Sequence, residues 1–301
     1  MMQQLTEYAN RIEAALGALL PERDDSCQEG EIAPVLNKSM RYSLLMGGKR
    51  LRPAMLLAVC DLLGGDPDEA MAYACAVEMI HCYSLVHDDL PGMDDDVIRR
   101  GKPTNHVVYG VGQAILAGDG LLNLAYETML RSALSHPDRL ACHVRAMREI
   151  ALSTGVRGMI AGQSMDLMQE QISGNGVKEL EYIQHNKTAA LFICAHRAAA
   201  HLAGASEEQM RALTNYANAF GLLFQTVDDL LDVEGDEQML GKSVGKDAQS
   251  GKLTAVKVYG LGGARELRQQ FLHDGLAALE PFGDRAAFLR ELLQNMSARK
   301  S

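Results

Sequence analysis

An all-α chain is what this sequence predicts, and three observations predict it. The 301 residues contain no Trp, only 5% aromatics and abundant Ala, Leu and Met, a composition that favours helices over sheets. Apolar residues recur at three and four, as in Leu121, Leu122, Ala125, Met129 and Leu130, whereas the two-residue alternation of strands is hard to find. Punctuation is sparse and evenly spaced, which implies antiparallel helices joined by short connections. No low-complexity linker divides the chain, so a single domain of ten or more helices over 1–301 is expected.

Taken in order, the first twenty residues carry Glu7 and Glu13 among apolar positions and lack a basic start, which argues against a secretory leader. No apolar run reaches the roughly 18 residues that span a bilayer, so a soluble, cytoplasmic protein is expected. Gly47-Gly48-Lys49-Arg50-Leu51-Arg52-Pro53 then sets three cations beside a flexible dipeptide. After a break at Gly64-Gly65-Asp66-Pro67, an apolar helical stretch from Ala76 to Val86 runs into Asp88, Asp89 and Asp94, followed by Arg99-Arg100-Gly101. Further breaks fall at Ser135-His136-Pro137-Asp138 and Ser173-Gly174-Asn175-Gly176. A second apolar stretch, Ala217 to Val227, runs into Asp228, Asp229 and Asp232, and Gly260 to Gly263 and Pro281-Phe282-Gly283 divide the remainder. Two carboxylate clusters at the ends of two similar helices are expected to face one another across a bundle.

The formal net charge of −10 argues against a nucleic-acid partner, since phosphate backbones are held by clustered Lys and Arg. It is compatible with a cation site without proving one. The six cysteines, Cys27, Cys60, Cys75, Cys82, Cys142 and Cys194, form no CxxC pair and read as buried reduced thiols.

In the second cluster Asp228 and Asp232 lie four apart, about 40° round a helix and one turn along it, so both carboxylates share a face. Like charges at that spacing are mildly destabilising unless a divalent cation bridges them. A solvated acidic face is the plain alternative. Asp88 and Asp94 are six apart and would lie on different faces of a straight helix. Pro91 cannot donate to the carbonyl of His87, so a kink or bulge there, tolerated by Gly92, would carry Asp94 back towards Asp88. A helix end followed by an acidic loop is the other reading. Arg forks match phosphate oxygens in pairs and Lys acts as a point charge. Carboxylates for magnesium beside separate cations therefore point to polyphosphate ligands, although either basic run alone is more often a surface salt-bridge face.

These residues carry a resemblance. The motifs GGKRLRP (47–53), HCYSLVHDDLPGMDDDVIRRG (81–101), GMIAGQSMDL (158–167), HNKT (185–188) and FQTVDDLLD (224–232) together resemble the bacterial farnesyl diphosphate synthases, within the trans-isoprenyl diphosphate synthase (polyprenyl synthetase) family. Any one motif is weak, but five in this order are specific. The resemblance implies an all-α isoprenoid synthase bundle with a central active-site cavity, three Mg2+ ions, a homodimer, and isopentenyl diphosphate and allylic diphosphates as substrates. It implies that Asp88, Asp94 and Asp228, with Asp89, Asp229 and Asp232 in support, hold magnesium. Arg99, Lys187 and Lys242 would grip the allylic diphosphate. Lys49, Arg52, His81 and Arg100 would bind that of isopentenyl diphosphate. Thr188 and Gln225 would stabilise the allylic cation, with ordinary helix-to-helix hydrogen bonding as the alternative. His81, seven residues before Asp88, falls on the same helical stripe. The released pyrophosphate would take the final proton, so no protein base is required.

Tyr83, five residues before Asp88, sits about 7.5 Å along the helix but about 140° round it. With the Pro91-Gly92 insertion, its ring resembles the farnesyl-forming pattern and would floor the product pocket. The alternative is a Tyr packed against a neighbouring helix, and a geranylgeranyl-forming synthase is the closest rival reading. A class I terpene cyclase and a non-catalytic subunit of the same fold are more distant rivals. The segment Lys242 to Lys252, with Arg299 and Lys300, is expected to close over the diphosphates. Leu253-Thr254-Ala255-Val256 departs from the family pattern and puts a role for Lys252 in doubt.

Overall fold

The computed structural model describes residues 2–22, 30–168, 176–234 and 252–299. They are helical almost throughout, as composition and periodicity predict, apart from one short hairpin. They gather into two compact units, Met2–Met147 with His201–Ala203, and Arg148–Ala200 with Gly204–Ser301.

The first unit contains α1 (Met2–Leu19), α2 (Pro34–Leu44), α3 (Leu51–Leu63), α4 (Pro67–Asp88), the strands β1 (Ile98–Arg99) and β2 (Lys102–Pro103), α5 (Asn105–Tyr109) and α6 (Val111–Ser135). The expected break before α4 is a helix cap: Asp66 Oδ1 accepts from the amides of Asp68 at 2.8 Å and Glu69 at 3.4 Å. Pro67 takes the first helical position, where no amide is needed, and Asp68 and Glu69 complement the helix dipole. Leu56, Leu57, Val59, Tyr73, Val77, Ile80, Leu121 and Met129 are fully buried where α3, α4 and α6 pack. Each contributes roughly 2 kcal/mol of transfer free energy.

The second unit begins within α7 (Leu140–Thr154). It contains α8 (Met159–Asp166), α9 (Val177–Ile183), a π-helical turn (Gln184–Ala189), α10 (Ala190–Leu202), α11 (Glu207–Glu234), α12 (Ala255–Ala278) and α13 (Ala287–Ser297). Its centre is aromatic, with the Phe192 ring 5.1 Å from Phe220 and Tyr216 donating to the Leu289 carbonyl at 2.8 Å. The break expected at Gly260–Gly263 is a kink inside α12, taken up by Gly260 alone at φ 70°. Pro137–Arg139 and Glu280–Ala286 form 3-10 turns at two other expected breaks. Of Ser173–Gly176 only Gly176 is among the described residues. Cys60, Cys75, Cys82 and Cys194 are buried and Cys142 partly so, while Cys27 lies outside them. No helix among the described residues is long and apolar enough to cross a membrane.

Candidate active site

The first acidic cluster is built by the end of α4 and not by a kink within it. The helix stops at Asp88. The chain then turns back through Met93 N–H to Leu90 O at 2.8 Å and Asp95 N–H to Leu90 O at 3.1 Å. Asp94 N–H donates to Asp88 O at 2.9 Å. Pro91 lacks the amide that would continue the helix, so the loop starts where it stands. Asp94 is therefore brought back to Asp88 at the main chain, as expected, but within a helix end followed by an acidic loop, the arrangement weighed as the alternative, and not by a kink in the helix.

Asp89 points elsewhere. It is 3% exposed and takes Arg99 in a forked contact, Nε to Oδ1 at 2.8 Å and to Oδ2 at 2.9 Å, with Nη2 at 2.6 Å from Oδ1. Burial pushes the Asp89 carboxyl above its usual range, against the opposing pull of Arg99. In this arrangement Asp89 holds a guanidinium in place, where the sequence had suggested support for a metal.

The basic motifs meet in the same unit. The Arg100 guanidinium donates to the Gly47 carbonyl, and a Cβ at Gly48 would lie 2.7 Å from Arg100 Nη1, so the glycine pair is the seat of this side chain. Lys49 is exposed and Arg52 half-buried. Burial, then the charges of Arg52, Arg100, Arg99 and Arg50, hold the His81 imidazole well below its usual pKa, which leaves it neutral among cations. A small cavity of ≈ 20 Å³ lies beside His81, Arg50, Arg99, Arg100 and Thr104. Tyr83 is 6% exposed and meets His87 edge-on at 5.7 Å. Burial, then Tyr126 and Asp88, push its hydroxyl up to about 12. Its ring lies against His87, one turn on along α4, with Tyr126 and Asp88 in its field.

In the second unit Asp228 and Asp232 stand one turn apart on α11, as their spacing predicts. Asp228 accepts from Arg299 Nη1 at 2.9 Å, so the basic end of the chain reaches this cluster. Asp229, between them, is 3% exposed and caps α12: Oδ2 accepts the Ala255 amide at 2.7 Å and Oδ1 accepts Gln225 Nε2 at 2.9 Å. Gln225 Oε1 in turn accepts from Thr188 Oγ1 at 3.0 Å. The helix-to-helix bond considered for Thr188 and Gln225 is thus present, and it fixes which end of the amide faces which partner. The departure at Leu253-Thr254-Ala255 is the start of α12, where Thr254 caps Lys257 N–H at 3.2 Å and Leu253 packs against Leu180 and Leu230.

Lys187 and Thr188 lie in the π-helical turn, a feature often found at functional sites. Two glycines make room for it. A Cβ at Gly162 would strike the backbone of Lys187, and one at Gly221 would lie 2.6 Å from Ala189 Cα. Lys187 Nζ meets Asp166 Oδ2 at 2.5 Å. Lys187, Thr188, Gln225, Asp166 and Lys252 share a cavity of ≈ 120 Å³. Lys242 lies outside the described residues.

Asp166, the acid of the 158–167 motif, has no part in the expected site, and its place in that motif was the available signal. Glu13 and Glu78, which hold Arg50 at 2.7 and 2.5 Å, left no such signal. Asp88, Asp94, Asp228 and Asp232 offer only hard oxygen donors, which suits magnesium. Among the described residues no three His, Cys, Asp or Glu side chains group so as to hold an ion alone. Magnesium is commonly bound by one or two carboxylates, with substrate phosphates and water completing its shell, and each unit supplies such carboxylates.

Residues 33–282 match the polyprenyl synthetase family. The chain is 46% identical over 266 residues to geranylgeranyl pyrophosphate synthase 3, chloroplastic, of Arabidopsis thaliana, covering 87% of this chain and 71% of that protein. The apo structure of an FPP/GFPP synthase from Zymomonas mobilis superposes with a TM-score of 0.86 at 32% identity, covering 98% of both chains. A geranyltransferase from Legionella pneumophila gives a TM-score of 0.86 at 32% identity, over 99% of this chain and 97% of that one.

Proposed function

The chain belongs to the polyprenyl synthetase family, and from that premise we propose that it condenses isopentenyl diphosphate with dimethylallyl and then geranyl diphosphate to give farnesyl diphosphate. It is a short-chain trans-prenyltransferase of the all-helical isoprenoid synthase fold. What carries the condensation of two diphosphates is the separation of tasks within the first unit, where the chain folds back to set Asp94 against the end of α4 at Asp88 while Arg100 is seated on Gly47-Gly48.

In this reading Asp88, Asp94, Asp228 and Asp232 hold magnesium, which when bound neutralises charge on the departing pyrophosphate. Arg99, oriented by Asp89, and Lys187, oriented by Asp166, serve the allylic diphosphate, a role that the family resemblance extends to Lys242. Lys49, Arg52, neutral His81 and Arg100 hold isopentenyl diphosphate. Gln225 Oε1 and Thr188 present fixed dipoles to the allylic cation, and fixed dipoles cost little reorganisation when charge develops. Asp89 and Asp229 act by positioning and not as ligands. The buried thiols of Cys60, Cys75, Cys82 and Cys194 suit a reducing compartment such as the cytoplasm, and the family resemblance supports a homodimer.

The fifteen-carbon product is supported by buried Tyr83 and by the FPP in the name of the Zymomonas mobilis relative. The plant relative's name favours a second reading, a twenty-carbon product. Incubating the purified protein with magnesium, isopentenyl diphosphate and, separately, dimethylallyl, geranyl or farnesyl diphosphate, then weighing the products, separates the two. Fifteen carbons are expected as the end point. Accumulation of twenty would establish the second reading, and no condensation would end both. Tyr83→Ala is expected to lengthen the product, and an unchanged chain would remove Tyr83 from length control.

A further inference from the structure

We propose that Arg50 is the positioning residue of the half-site for isopentenyl diphosphate: it sets Lys49, Arg52 and the Gly47-Gly48 seat of Arg100 in place through protein contacts and does not touch the diphosphate. The inference rests on the reading of Lys49, Arg52 and Arg100 as ligands of that diphosphate. Of the three cations beside the glycine pair, the family resemblance gives Lys49 and Arg52 to the diphosphate and leaves Arg50 without a part. Arg50 is not available as a ligand. It is 3% exposed, and its guanidinium is spent inside the first unit. Nε donates to Glu13 Oε1 at 2.7 Å, Nη1 to Glu78 Oε1 at 2.5 Å and Nη2 to the Leu44 carbonyl at 2.6 Å. One planar fork thereby joins α1, the end of α2 and α4, a task for which its fixed donor geometry suits Arg and not Lys.

The backbone of the same residue makes the second half of the argument. Arg50 sits at φ 46° and ψ 35°, left-handed and disfavoured for a residue with a side chain. Such a conformation persists where the surroundings over-determine it, and these clusters are found at functional sites. Its carbonyl accepts the Ala54 amide at 3.0 Å, so this turn fixes where α3 starts. Lys49 leaves the turn on one side and Arg52 follows on the first turn of α3. Glu78, which grips Arg50, precedes His81 by less than one turn on α4, so the same fork registers α3 against the α4 face that carries His81.

Two variants of the whole enzyme test this. Glu13→Gln removes one charge from the fork at a side chain that reaches no proposed ligand. It should raise KM for isopentenyl diphosphate about tenfold, as small misplacement of binding groups does, with kcat and the allylic KM within about twofold. Arg50→Lys, which cannot serve three acceptors at once, should raise it about a hundredfold. Unchanged KM for isopentenyl diphosphate with only a lower Tm would reduce Arg50 to a structural tie and overturn the proposal. If Glu13→Gln leaves binding equal or tighter while Arg50→Lys weakens it, Arg50 is itself a ligand, and the proposal fails. Should Arg50→Lys not fold, Glu13→Gln decides alone. Lys49→Ala runs alongside: if it leaves that KM unchanged, the half-site itself is misassigned, which is a different failure from a silent Glu13→Gln beside a responsive Lys49→Ala.

Discussion

Asp89 and Asp229 occupy the same place in their motifs, second in an aspartate pair, and both are 3% exposed. One carboxylate is filled by Arg99 and the other by the Ala255 amide and Gln225. Their neighbours Asp88 and Asp228 are half-buried. The two kinds of aspartate should fail differently. Asp228→Asn should collapse condensation with Tm nearly unchanged. Asp229→Asn, losing a charge-assisted cap, should cost about 2 kcal/mol of stability and lower turnover only in part. Parallel thermal melts and single-turnover assays check the contrast, and equal losses of turnover would return Asp229 to the metal set. Spacing alone made Asp228 and Asp232 legible as a pair, because a helix repeats nearly every four residues. Nothing local separates Asp88 from Asp89, since the difference lies in Arg99, ten residues on and brought back by the hairpin of β1 and β2.

The π-helical turn from Gln184 to Ala189 is the element on which Lys187 and Thr188 depend. An extra residue per turn swings these side chains out of plain α-helical register, at the price of poorer hydrogen-bond geometry. It is tolerated here because α8 and α11 approach it on glycine. Gly162→Ala should therefore push α8 from the turn, lower Tm by several degrees and reduce kcat more than tenfold, as overpacking of a close contact does. A steady-state assay and a melt measure both, and wild-type kcat would show that the turn does not need this clearance. From sequence the segment reads as unbroken helix, because π geometry leaves no periodic signature in six residues. The caps of α4 and the Gly260 kink were legible, since Asp-Pro and glycine punctuate locally. The short turn between α7 and α8 carries the same glycine punctuation, at Gly155 and Gly158, but was not among the expected breaks.

For the whole molecule, fold class followed from composition, because a chain poor in aromatics and rich in Ala, Leu and Met has little to build sheets with. The division into two compact units did not follow. It falls between Met147 and Arg148, inside α7, and a boundary that runs through a helix leaves no linker to read. Global stability carries one charge-linked term with a clear sign. Burial holds the His196 imidazole, which is 0% exposed and bonded to the Phe192 carbonyl at 2.8 Å, down at about 4. The unfolded chain takes up that proton near 6.5, before the folded one does. This contribution is complete above about pH 6.5 and is lost as pH falls towards 4, to the extent of about 3 kcal/mol. Urea midpoints should drop accordingly between pH 7 and pH 4.5, and His196→Phe should flatten that part of the curve. An unchanged slope in the variant would place the acid sensitivity elsewhere.

The amide of Asp94 rests on the carbonyl of Asp88. The separation of the two residues along the loop is therefore gauged by main chain. A single proton on a single nitrogen becomes a native reporter for the loop. Its rate of exchange with solvent would register whether the pair proposed to hold magnesium is assembled before any substrate arrives, with no label and no turnover needed to see it.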